Sequence, residues 1–181
     1  LVWGAVFLYA LSFVVHLPGV VRGRPRAIAA ADRIRLIGFF CHGLALLVRW
    51  VRAGHAPVTD AYELDLAGAW LAMLLYSCFA WGGRVHRAVA LVETPAVFLA
   101  LGHGMVVCSE PAPMGPAYRS LWLVVHVTFA WLGFGSFAIA TGAAALLLLR
   151  PRLVGGDATR LPSREELDLT IHRFVVLGVI N

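Results

Sequence analysis

The sequence predicts an all-α protein: a polytopic transmembrane bundle of about six helices with its N-terminus outside. Three observations carry this reading. Apolar stretches long enough to cross a bilayer, which takes roughly 20 residues, recur along the chain. Hydrophobic residues make up 60% of the 181 and charged residues only 14%, far from the balance of a water-soluble domain. Finally, arginines crowd into every second connection, which is the pattern of alternating membrane sides.

The elements follow in order, within one transmembrane domain over 1–181. Residues 1–21 (LVWGAVFLYALSFVVHLPGVV) hold no charge and span once, without the basic start or cleavage site of a signal peptide. Arg22, Arg24, Arg26, Arg33 and Arg35 then mark an inside loop, and the second span covers 34–51. Gly54 and Pro57 break the helix and the chain emerges outside, where Asp60 is placed to cap a third span over 62–81 with Glu63 in its first turn. Arg84 and Arg87 return it to the basic side, and a fourth span covers 88–108, with Glu93 near its start and His103 between two glycines near its end. An outside loop with Pro111, Pro113 and Pro116 leads to the fifth span, 121–149, which has no charge between Arg119 and Arg150. At 1.5 Å per residue it reaches about 43 Å, longer than a hydrocarbon core of about 30 Å, so it must tilt or protrude. Arg150, Arg152, Arg160 and Arg164 lie inside, and Ser163 with Glu165 and Glu166 opens a last helix over 166–181 that breaks off at Asn181. Beginning at Leu1 rather than methionine, the chain reads as part of a longer protein.

Composition also excludes functions. All fifteen basic residues are arginine, and because they flank apolar spans the +5 charge is a topology signal. Membrane lipid is the expected surrounding partner, and no nucleic acid is. Cys41, Cys78 and Cys108 show no CxxC spacing, so neither a disulfide framework nor a zinc knuckle is expected. No Ser-His-Asp, HExxH, Walker or GxGxxG pattern occurs.

What remains is histidine. His126 stands near the outer end of the fifth span, with Trp122 and Phe129 on its side of a helix and Ala130 and Gly133 leaving space above. Imidazole between aromatic planes suits a flat iron-containing ligand, while an interfacial histidine in an aromatic belt fits the same residues. His42, deep in the second span, is either an iron ligand needing a partner on another helix or a packed imidazole. His55 is placed on the outer face, and His103 just beneath it in a packing role; His16, His86 and His172 read as interfacial or solvated. Arg49, Arg52 and Arg119 lie toward the outer face, where they could meet haem propionates or snorkel.

These residues resemble a known family. Arg49-Trp50 followed by GHAPVTDAYE (Gly54 to Glu63) resembles the RW…GHxPxxxxYE segment of the System II cytochrome c synthases, membrane proteins of the Ccs/Res type. LWLVVHVTFAWLGFGSFAIA (Leu121 to Ala140) is similar to that family's helix bearing an external haem-ligand histidine, and LDLTIHRFVVLGV to its LDxxxYRxxxLGF segment, with His172 at the usual tyrosine. The resemblance implies a haem-handling protein of c-type cytochrome biogenesis. It would sit in the cell inner membrane and hold haem at the outer face for attachment to CxxCH apocytochromes, alongside an accessory biogenesis membrane protein. It implies His126 as an iron ligand and His42 as a ligand or channel residue within the membrane, and the residue reading adds His55, Trp122, Arg49 and Arg119 around the haem. The synthase's tryptophan-rich external segment and second external histidine would follow Asn181. Three readings stay open: a component of cytochrome c synthase (haem lyase) is one, and the related HemX-type branch associated with haem biosynthesis is another. A non-catalytic structural subunit of a membrane complex is a third.

Overall fold

The computed structural model describes residues 1–107, 110, 120–153 and 161–180. Among these every regular element is helical: α1 (Val2–Val21), α2 (Pro25–Ala53), α3 (Ala61–Trp81), α4 (Ala90–Val106, entered through a 3₁₀ turn at Arg87–Val89), α5 (Leu121–Leu153) and α6 (Arg164–Ile180). Five of the six are long and apolar enough to cross a membrane, α5 with the highest mean hydropathy, 2.0. The chain is therefore a polytopic helical membrane protein.

The turn from α1 to α2 is shorter than the arginine-rich segment predicts. Only Arg22 to Arg24 intervene, closed by the Arg24 amide donating to Gly19 O (2.7 Å) and by Gly23 at φ 59°. Pro25 then takes the first turn of α2, where its missing N–H costs nothing, and AIAAA propagates the helix. Most of the arginine-rich stretch is thus helix projecting beyond the apolar span, not loop. α1 and α2 form a close hairpin because small residues line their seam: a Cβ on Gly38 would stand 3.1 Å from Leu8, and Ser12 Oγ donates to the Ala31 carbonyl (2.9 Å).

The remaining helices pack on this hairpin largely through α4, and α5 is held between α3, α4 and α6. Its contact with α3 depends on the absence of a side chain at Gly68: a Cβ there would fall 2.0 Å from the Trp131 ring. Lower down, Gly142 lies against Val89, and Gly178 of α6 against Phe137. Two helix starts are capped as their sequences predict. Asp60 accepts from the Glu63 amide (2.7 Å), and Ser163 and Glu166 exchange two bonds (2.7 and 3.1 Å).

All six helices run back and forth, so the chain has two ends. The arginine-rich end gathers the α1–α2 turn, the α3–α4 turn and the start of α6. The opposite end gathers the α2–α3 loop, the end of α4 and the start of α5.

Candidate functional site

The opposite end is organised by one buried ion-pair knot. α2 delivers Arg49 one turn before Gly54, whose φ of 75° ends the helix and turns the chain toward α3. Arg49 Nε donates to Glu63 Oε1 (2.9 Å) and Nη2 to Asp60 Oδ2 (3.2 Å), while its guanidinium lies 4.9 Å from the centre of the Tyr62 ring. Glu63 Oε2 also accepts from the Thr59 amide (3.1 Å) and hydroxyl (2.7 Å). Glu63 is 1% exposed and Arg49 8%, so the charges are removed from water together and balanced by one another. The RW…GHAPVTDAYE segment therefore folds into a clamp between α2 and α3.

His55 lies in the same loop, 9% exposed, its Nδ1 donating to the Ala56 carbonyl (2.8 Å). Beneath the loop is an apolar cavity of about 290 Å³, lined among others by Trp50, Pro57, Trp70, Val124 and Val127. Trp70 stacks on Phe39 at 4.9 Å and donates to its carbonyl, which fixes the inner wall.

His126 is exposed, as are Trp122 (80%) and Phe129 (48%). At 100° per residue, Val124 and Thr128 face the cavity and His126 points away from it. The aromatic face predicted around His126 thus exists as one uncovered stripe at the start of α5, distinct from the clamp.

His42 is elsewhere again. It is fully buried (0%), facing α1, with the Tyr9 hydroxyl 3.5 Å from Nδ1 and the two rings edge-on at 6.0 Å. Its Nε2 has no partner among the described residues. That nitrogen is buried, so an iron could reach it only if the packing around His42 opened. His42 and His126 are therefore not brought together, since α5 packs chiefly on α3, α4 and α6. Arg119 lies outside the described residues, as does Cys108.

Sequence reasoning missed three features. His103, read as packing, has a 63%-exposed side chain whose Nδ1 donates to Asp65 Oδ2 (2.6 Å). That pairing sets the ring's tautomer and orientation, as carboxylates do for ligating histidines; the two residues are 38 apart in sequence, with no local signal. His16, read as interfacial, is 1% exposed with neither ring nitrogen partnered among the described residues, because α1 turns that face toward the bundle. Glu93 keeps its place in the first turn of α4, but it is 0% exposed and both its oxygens lack partners among the described residues.

A family model described as "Cytochrome C assembly protein" matches residues 58–181. The chain is 26% identical over 179 residues to the "Cytochrome c biogenesis protein CcsA" of Lobularia maritima, covering 96% of this chain and 54% of that one. To the protein of the same name from Chlamydomonas reinhardtii it is 26% identical over 176 residues, 92% of this chain and 47% of the relative. To that of Prochlorococcus marinus (strain NATL1A) it is 33% identical over 102 residues, 53% and 31%. The chain spans about half the length of the first two relatives.

Proposed function

The chain belongs to the family of cytochrome c assembly proteins, and on that basis we propose that it handles haem for covalent attachment to CxxCH apocytochromes. The names of its relatives support cytochrome c biogenesis over haem biosynthesis. The observation that carries the haem assignment is the exposed Trp122–His126–Phe129 stripe. An accessible imidazole with aromatic side chains beside it, near the start of an apolar helix, can take an axial position on haem iron and flank the macrocycle.

Haem is here cargo and substrate, contributing the vinyl groups that accept cysteine thiols. The protein's share is positioning: holding the group in register with an external partner replaces a rare encounter by a local one. His126 is the ligand and Trp122 a flanking ring. Arg49 contributes by another route than the propionate contact that its position in sequence permits. Its guanidinium already faces Glu63 and Asp60, so it shapes the loop carrying His55. His42 fits an iron poorly in this closed packing; it serves as a packed imidazole against Tyr9.

The test is optical. Haem bound to the purified protein should show an axial-imidazole spectrum that is lost or strongly weakened in His126→Ala and restored by added imidazole. His42→Ala should leave that spectrum in place. An unchanged spectrum in His126→Ala overturns the ligand assignment.

A further inference from the structure

At the arginine-rich end, α2 and α3 touch only sparsely and leave an open cleft of about 340 Å³ between them. Asp32, Arg33 and Arg35 of α2, Ser77 and Trp81 of α3, and Arg87 from the 3₁₀ turn line it. Asp32 is shared by two of the arginines, accepting from Arg35 Nη2 at 2.6 Å and pairing with Arg87 Nη1 at 3.2 Å. Two guanidiniums thus share one carboxylate with Arg33 beside them, and the described lining carries three positive charges against one negative.

Arg35 is the informative member. Its side chain is only 8% exposed and its guanidinium lies 4.9 Å from the centre of the Tyr76 ring, yet Nη1 is buried with no acceptor among the described residues. A buried guanidinium nitrogen without an acceptor is costly, and Arg35 as a whole lines the cleft, where an anionic oxygen would offset its charge. The rim is apolar and faces outward: Trp81 is 86% exposed and Leu36 39%. Charge within and an apolar margin at the end of two spanning helices match an amphiphile whose head is anionic and whose tail lies in the bilayer.

We infer that the cleft between the arginine-rich ends of α2 and α3 binds the phosphate of an anionic phospholipid. Arg35 and Arg87 are its inner donors, Arg33 its exposed cation, and Trp81 and Leu36 the margin along which the acyl chains run. Asp32 aligns the two inner arginines and competes with the lipid for them.

Native mass spectrometry of the detergent-purified protein, titrated with phosphatidylglycerol or phosphatidylcholine, tests this. One phosphatidylglycerol should be retained about tenfold more tightly than phosphatidylcholine, and Arg33→Gln combined with Arg87→Gln should abolish that preference. Arg52→Gln, at the other end of the molecule, should leave it intact. Asp32→Asn should tighten retention, an outcome that a purely structural aspartate would not produce. Equal retention of the two lipids, or a preference unaltered in the double variant, overturns the proposal. So does protection from thermal unfolding by inorganic phosphate matching that by phosphatidylglycerol, which would make the site one for free phosphate.

Discussion

Arg49 shows how a residue's chemistry depends on what the chain folds beside it. Its position near the outer end of α2 is equally suited to snorkelling and to a propionate, but the loop that follows folds Asp60 and Glu63 back onto it. Glu63 is 14 residues away, beyond the reach of helical spacing rules, so only the turn at Gly54 makes the pair. With both side chains removed from water, Arg49→Gln strands a buried carboxylate and should destabilise the protein by about 3 kcal/mol or more, read as thermal or denaturant unfolding in detergent. Arg49→Met with Glu63→Met should cost less than the two single changes added. Additive losses would show that the pair is not coupled. The local pairs were legible in advance: Asp60 with Glu63 and Ser163 with Glu166 sit at the three-residue spacing that capping requires. His103 with Asp65 was not, because nothing within either helix marks the other.

Among elements, α5 is the most strongly signalled and the least determined by its own sequence. Its apolar length predicts a spanning helix, and one describes it, running from Leu121 to Leu153. Which face meets which neighbour is decided by small residues on other helices. Gly68 of α3 admits the Trp131 ring so closely that a methyl group there would overlap it. Gly68→Ala should therefore destabilise by about 1–3 kcal/mol, despite alanine's better helix propensity, and shift tryptophan emission as Trp131 moves. Gly102→Ala, where nothing lies within 4 Å of the new carbon, should be neutral or slightly stabilising. A neutral Gly68→Ala would mean that the α3–α5 seam relaxes freely. The start of α2 teaches the complementary lesson: an arginine count locates a membrane side but does not bound a helix, and Pro25 followed by alanines carries α2 well into the segment read as loop.

For the whole molecule, the two ends differ in charge, and the working arrangement follows from that difference. Arginine bias predicts that the arginine-rich end faces inward and that the Arg49 clamp, with the His126 stripe, faces outward. In a variant with Cys41, Cys78 and Cys108 replaced by alanine, a membrane-impermeant maleimide should label Ser120→Cys from outside intact cells and Arg84→Cys only after permeabilisation. The reverse pattern would invert the orientation and overturn the proposed outer-face haem site with it. Reading along the chain was sufficient for the helical membrane class, the family resemblance and the place of a histidine near one end of α5. Those depend on hydrophobic length, charge alternation and local spacing, which are properties of contiguous residues. Tertiary packing alone decided that Arg49 is matched by two carboxylates, that His42 is closed in by Tyr9, and that three arginines share a cleft with one aspartate. Each of these joins residues on different elements, and in a membrane the seams that bring them together are chosen by close steric fit, which no single helix encodes.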